Sequence, residues 1–218
     1  ILHDDDLLKE NFGIALSNLV SSNSDIYAFN TSVLDERISS SKPKSHAFYS
    51  IVKHIYTSVR SFKHKFRREI DIKKLFYLNV FMGTLAVVIN REKAVLLDGF
   101  DESYYPIADY HFWTKWIIAY GPIYIEPIFV ASYRIRENET MKQETIDLFI
   151  EKDYQLRKEI CNSVISMNKY NKLIKLLKSR DSMLFNFSWS NNENIYKKNL
   201  VNIIRYFIIR LRCAISFI

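Results

Sequence analysis

Glycine and proline are scarce and unevenly placed in this chain of 218 residues, which contains four of each. Six of these eight residues fall between Gly83 and Pro127. Glycine adopts backbone angles that other residues avoid, and proline lacks a backbone N–H, so both interrupt regular structure. The distribution therefore predicts turns within this segment and mainly helices elsewhere.

The spacing of apolar residues separates helices from strands. Helical spacing predicts helices over Leu7–Ser21, over Ala47–Phe66, from Asp109 to about Tyr120, and throughout the chain after Gln143, with a short helix opening at Arg91. Short apolar runs predict strands over Ile26–Phe29, Leu85–Ile89, Ile123–Glu126 and Phe129–Tyr133, the last two separated by a break at Pro127.

Strands that alternate with helices predict an α/β fold followed by a helical tail. We expect an α/β part over residues 1–141, which includes a basic helical segment at 42–78, and a helical C-terminal extension over residues 142–218. An apolar fraction of 48% excludes a disordered chain.

The net charge of +7 is local. Between Lys42 and Lys74 there are ten Lys and Arg against two acidic residues, so this segment carries 10 − 2 = +8 and the remainder of the chain −1. A basic stretch with aromatic residues can bind nucleic acid or attract an anionic acceptor or membrane surface. No nucleic-acid module is recognisable and the apolar residues have helix-core spacing, so we expect a solvated basic face and no nucleic-acid partner.

Two cysteines without a paired or metal-binding spacing indicate a reducing, cytoplasmic compartment. No apolar run reaches the 18 or so residues that span a bilayer. Residues 197–218 have apolar and basic residues at helical spacing, which favours either an interfacial membrane helix at the inner face of the cell membrane or a helix packed on its own domain.

Three adjacent carboxylates, Asp4, Asp5 and Asp6, lie between leucines near the start of the chain. Adjacent carboxylates repel one another unless a cation or solvent compensates. At the end of a strand they would suit Mg²⁺ or Mn²⁺, which prefer oxygen ligands. Alternatively they cap the helix that follows.

A second group of polar residues lies in the segment Leu96–Trp113. Gly99 can take a left-handed backbone conformation, and three carboxylates follow it within ten positions, at Asp101, Glu102 and Asp109. Asp109 directly precedes a run of aromatic residues, so it is either a helix N-cap beside core aromatics or a general base in a partly apolar pocket.

Together these stretches resemble the family 2 glycosyltransferases over about residues 1–141. The resemblance consists of four blocks in the family's order and separation, namely LHDDDLL, GTLAVVINREKA, LDGFDESYYPIADYHFW, and GPIYI with SYRIRENET. It implies the C-terminal part of a Rossmann-like, mixed-sheet domain of the glycosyltransferase A type. It also implies a nucleotide-diphospho-sugar donor and a saccharide or lipid-linked acceptor.

The resemblance also assigns residues to the donor side. Asp5 falls at the metal-ligand position of the family's acidic motif, with Asp4 and Asp6 beside it and His3 in place of the motif's first aspartate. A bound Mg²⁺ or Mn²⁺ is the implied cofactor. Arg134 and Arg136 replace the family's Arg-x-His and would contact the diphosphate.

On the acceptor side, the resemblance makes Asp109 the base that deprotonates the acceptor hydroxyl, although Ala108 replaces the family's preceding glutamate. Four further residues belong to the implied acceptor side: Gly83, Asp101, Glu102 and Trp113. In the family, nucleoside-binding βα units lie upstream of the acidic motif, and at roughly 30 residues per unit about a hundred residues are expected before this chain. The alternative is a truncated, non-catalytic remnant or interaction module.

Overall fold

A computed structural model describes residues 7–20, 24–36, 66–135, 142–162, 170–188 and 200–217. Its described helices and strands define a mixed α/β architecture. The strands are β1 (Leu7–Leu8), β2 (Ile26–Asp35), β3 (Arg68–Ile70), β4 (Val87–Ile89) and β5 (Ile123–Ile135). The helices are α1 (Phe12–Val20), α2 (Ile72–Tyr77), α3 (Arg91–Leu96), a 3-10 turn (Glu102–Tyr104), α4 (Ala108–Tyr120), α5 (Gln143–Ile160), α6 (Tyr170–Ser188) and α7 (Leu200–Phe217).

The chain divides into two compact units, each built from separated segments. Unit one comprises residues 1–71, 80–98 and 116–136, and unit two comprises residues 72–79, 99–115 and 137–218. The helical extension predicted over 142–218 thus groups with two earlier segments of the chain.

The sheet of unit one is mixed, with β5 at its centre. β2 pairs in parallel with β5 along one side and antiparallel with β4, while β1 and β3 pair antiparallel with different ends of β5. A core of buried apolar residues covers this sheet: Ala15, Phe29, Leu85, Ala86, Val130 and Ala131.

The expected break at Pro127 is wrong, because β5 continues through the proline. The register between β2 and β5 shifts there, so that Phe29 lies opposite Glu126 while Asn30 lies opposite Phe129. Extra residues in one strand form a bulge, which accommodates a proline that cannot donate a ladder hydrogen bond.

The helix expected from Leu7 begins instead at Phe12. Leu7 and Leu8 form β1, which pairs with Ser132 and Ala131 of β5. The expected strand Leu85–Ile89 is also shorter, since Ala86 has a φ of 60° and ladder pairing starts at Val87. At Leu7 and Leu8 tertiary pairing overrides the local helical pattern, whereas at Ala86 the left-handed backbone shortens the strand.

Other predictions of secondary structure are confirmed. α3 begins after Asn90, whose Oδ1 accepts hydrogen bonds from the backbone N–H groups of Glu92 (3.0 Å) and Lys93 (3.2 Å). The helix expected near Asp109 spans Ala108–Tyr120, and the described part of the chain after Gln143 is helical.

Within the predicted basic helical segment, residues 68–70 form a strand, and the helix predicted over 47–66 lies almost entirely outside the described residues.

Candidate functional site

The segment that leads into α4 contains most of the described residues predicted to carry chemistry. Two successive left-handed residues turn the chain, Asp98 with a φ of 59° and Gly99 with a φ of 59°. Asp101 then caps the 3-10 turn, because its Oδ1 accepts a hydrogen bond from the backbone N–H of Ser103 at 2.9 Å. This hydrogen bond lowers the pKa of the half-buried Asp101 carboxyl, which is therefore ionised at neutral pH.

Asp109 is the second residue of α4 and is half-buried. The interpretation of Asp109 as an N-cap is wrong, since it lies inside the helix. A carboxylate in the first helical turn is favoured by the positive end of the helix dipole.

The aromatic residues after Asp109 form core, as one of the two interpretations predicted. Tyr110, Phe112 and Trp113 are fully or almost fully buried. The Tyr110 hydroxyl donates a hydrogen bond of 2.9 Å to the carbonyl of Leu75, and burial raises the pKa of this hydroxyl. Trp113 is 1% exposed, and its predicted contact with an acceptor stays a prediction.

Around the same turn, Asp101 lies with four residues to which the sequence did not point, and we call this set the loop cluster: Asp101, Tyr104, His111, Lys152 and Glu159. The Tyr104 ring stacks on the His111 imidazole at 3.6 Å between centroids and 5° between planes. The Tyr104 hydroxyl donates a 2.6 Å hydrogen bond to Glu159, and Lys152 donates one of 2.8 Å to the carbonyl of Ser103.

Burial and hydrogen bonding set the protonation of the loop cluster. Burial, supported by the hydrogen bond to Glu159, raises the pKa of Tyr104 to about 12, so this hydroxyl keeps its proton. Burial lowers the pKa of His111, and the nearby Lys115 acts in the same direction. The Nδ1 of His111 is buried without a hydrogen-bond partner in the described part of the chain. A neutral imidazole offers one donor and one acceptor to a polar ligand.

Unit two also contains a buried ion cluster, formed by Asp153, Arg157, Arg180 and Asp181. The Arg157 guanidinium contacts Asp153 at 2.5 Å and Asp181 at 2.7 Å, and donates a 2.8 Å hydrogen bond to the carbonyl of Phe76. Arg180 binds Asp181 through two hydrogen bonds of 2.6 and 3.0 Å. All four residues are buried, so this cluster connects α2, α5 and α6 in the interior.

Among the described residues, two predicted site residues belong to unit one. Gly83 has a φ of 61°, a conformation that favours glycine, in the turn before β4. Arg134, near the end of β5, binds the carboxylate of Glu36 at 2.8 Å, so a diphosphate would have to compete with this ion pair. A separate pocket beside Asn30 and Arg68 has a volume of about 30 Å³, which admits water-sized molecules rather than a sugar.

The predicted metal and donor residues His3, Asp4, Asp5, Asp6 and Arg136 lie outside the described residues. Among the residues that are described, no group of three or more His, Cys, Asp or Glu is arranged to hold a metal ion. The predicted Mg²⁺ or Mn²⁺ site therefore stays a prediction.

Comparison of the chain with protein-family models, with curated proteins and with solved structures finds no match.

Proposed function

We propose that this chain is the acceptor-side part of a glycosyltransferase that resembles family 2, in polysaccharide or glycoconjugate synthesis. The observation that carries the proposal is the position of Asp109, a half-buried carboxylate in the first turn of a helix whose next aromatic residues, Tyr110, Phe112 and Trp113, are core. The order of the four sequence blocks adds support, as does the left-handed conformation of Gly99 in the third block.

In this proposal Asp109 is the general base of an inverting transfer. A carboxylate oxygen of Asp109 takes the proton of an acceptor hydroxyl while the oxygen of that hydroxyl forms a bond to the anomeric carbon. The bond between the anomeric carbon and the diphosphate oxygen breaks at the same time, and its electron pair leaves with the nucleotide diphosphate. General-base catalysis of this kind contributes about 10²–10⁴-fold in rate.

The proposed fold of the chain is a Rossmann-like domain of the glycosyltransferase A type. The parallel pairing of β2 with β5, beside antiparallel neighbours, is compatible with the mixed sheet of that class. Asp101 and Glu102 would contact the acceptor from the 3-10 turn before α4, while Gly83 would allow a close approach of the backbone.

The proposed metal ligands are Asp5 with Asp4 and Asp6, since an all-oxygen carboxylate set suits Mg²⁺ or Mn²⁺. When bound, such an ion neutralises charge that develops on the leaving diphosphate. Arg134 and Arg136 would add charge-assisted hydrogen bonds to phosphate oxygens. Of these, Arg134 already holds an acidic partner and would exchange it for phosphate.

Substitution of Asp109 by Asn tests the proposal, because it preserves shape but removes the basic oxygen. In a longer protein that contains this chain together with a nucleotide-binding part, Asp109→Asn is expected to bind the sugar nucleotide normally and to lower the rate of sugar transfer about 10²-fold or more. Asp5→Ala is expected to lose Mn²⁺-dependent donor binding, measured by calorimetry. Asp147→Asn, an exposed helical carboxylate, is the matched control.

Two results would contradict parts of this proposal in different ways. Wild-type transfer by Asp109→Asn would move the base elsewhere, with Asp101 or Glu102 the next candidates. Absence of both donor binding and transfer in the unsubstituted protein would favour the non-catalytic alternative, in which Ala108 and Arg136 mark a lost active site.

A further inference from the structure

Helix α7 has two faces of opposite character, and the less apolar one packs inward. Asn202, Tyr206, Ile209 and Cys213 follow one another at helical spacing on the covered face, and Cys213 is fully buried. This face packs on α6, where Arg180 lies close enough to act on the Cys213 thiol. The position of α7 on unit two is therefore set by its inner face.

The outer face of α7 is apolar and exposed. Leu211 and Ile215 are 62% and 65% exposed, although such side chains usually lie against a core. Six exposed apolar residues form this outer face: Val201, Ile204, Phe207, Ile208, Leu211 and Ile215. With 3.6 residues per turn they occupy an arc of about 120° around the helix. The sequence left open whether this helix packs on its own domain or lies on a membrane, and packing of the inner face on α6 leaves these six residues exposed.

Two exposed arginines border the arc on one side. Measured around the helix axis from Val201, Arg205 lies at about 40° and Arg212 at about 20°. The sequence from residue 194 to residue 218 contains no Asp or Glu. The outer face therefore combines an apolar stripe with two positive charges. The sequence of this segment contains no acidic residue that could neutralise them.

We propose that α7 lies in the surface of an anionic lipid bilayer. The apolar arc enters the boundary of headgroups and acyl chains, and Arg205 and Arg212 bind lipid phosphates at its border. An anionic bilayer supplies both an apolar phase and negative charge, whereas a second copy of α7 would bring further arginines to the same border. None of the described helices is long and apolar enough to cross a membrane, so the contact is with one leaflet. This inference does not depend on transferase activity.

Co-sedimentation of the whole chain with vesicles tests the inference. We expect binding to vesicles of equal parts phosphatidylcholine and phosphatidylglycerol, and much weaker binding to pure phosphatidylcholine. Raised salt should weaken the binding, because a Debye length of about 10 Å at 0.1 M screens the arginines. The double variant Leu211→Gln/Ile215→Gln should bind more than about tenfold more weakly, since it removes apolar area from the inserted face.

Matched variants on other helices test whether vesicle binding depends on the outer face of α7 or only on the total charge and apolar surface of the protein. Val95→Gln/Leu96→Gln removes two exposed apolar side chains from α3 and should leave vesicle binding unchanged. Arg205→Gln/Arg212→Gln should weaken binding about fivefold per arginine. Lys172→Gln/Lys175→Gln, at exposed positions of α6, should have a smaller effect.

Thermal unfolding should be unchanged in the α7 variants, because every substituted side chain is exposed. Wild-type vesicle binding by folded Leu211→Gln/Ile215→Gln would overturn the inference, as would equal binding to neutral and anionic vesicles. A dimer in solution that Leu211→Gln/Ile215→Gln dissociates, without any lipid binding by the wild type, would assign the face to a second copy instead.

Discussion

The buried ion cluster and the loop cluster of unit two both consist of charged and polar side chains, yet their surroundings give them different properties. Arg157 and its partners are buried, so each charge depends on the others for compensation. In the loop cluster, Asp101 and His111 are half-buried and Glu102 beside them is exposed, so solvent or a ligand can reach them. The comparison indicates that the first cluster fixes structure and the second is available for binding.

Removal of Arg157 is expected to have the largest effect on stability. Arg157→Gln leaves Asp153 and Asp181 buried without their main counter-charge, which should lower the free energy of unfolding by about 3–5 kcal/mol. Urea denaturation measures this loss. Lys158→Gln, at an exposed position next along the same helix, removes a cation–π contact with the Tyr154 ring and should change stability by about 1 kcal/mol or less. Equal effects of the two substitutions would show that the buried cluster has no special structural role.

The second largest expected effect is a change of stability with pH. Burial raises the pKa of Asp153 to about 6 from the usual 3.8, with the neighbouring Asp181 acting in the same direction. The folded carboxyl therefore holds its proton more tightly than the unfolded one. Its contribution is complete below pH 3.8 and is lost as the pH rises through about 6. A shift of this size is worth at most about 2–3 kcal/mol.

Asp153→Asn is the reference protein for this measurement, since it removes the carboxyl group that titrates. Stability of the wild type relative to Asp153→Asn should fall between pH 4 and about 6, as followed by denaturation in a pH series. Asp181 acts at lower pH and with the opposite sign, because Arg157 and Arg180 lower its pKa against the cost of burial. A constant difference between the two proteins across this range would contradict a protonated Asp153.

The smallest expected effect belongs to the loop cluster. Tyr104→Phe keeps the stacking on His111 but removes the hydrogen bond to Glu159, and it should destabilise the fold by about 1 kcal/mol or less. Tyr105→Phe, at the neighbouring exposed tyrosine, is the control and should be neutral. A loss as large as that of Arg157→Gln would make the loop cluster structural and would weaken its assignment to binding.

Local features of this fold were predictable, and pairings between distant residues were not. The helix from Ala108 and the left-handed Gly99 follow from apolar spacing and from glycine's backbone freedom. β1 could not be predicted, because two leucines before a helical pattern carry no sign of their partners in β5. Proline predicted a strand end at residue 127, but a bulge can absorb a missing donor without ending the strand.

In the candidate site, too, residues close together in the sequence were predictable and contacts between distant residues were not. Asp101 and Asp109 were identifiable because they lie close together in sequence beside a glycine turn. Glu159 and Lys152 were not, since they come from α5, about fifty residues further along the chain, and only the tertiary fold brings them to Tyr104 and Ser103. The acidic residues at 4–6 lie outside the described residues, so their predicted role is unchanged.

The parallel pairing of β2 with β5 has a consequence for the timing of synthesis on the ribosome. β2 ends at Asp35 and β5 ends at Ile135, a separation of 135 − 35 = 100 residues. At 5–20 residues per second, translation takes about 5–20 s to supply the central strand after β2 has been made. β4 is the first sheet partner of β2 to be translated, and until β5 follows, one edge of the nascent β2 is open to wrong partners.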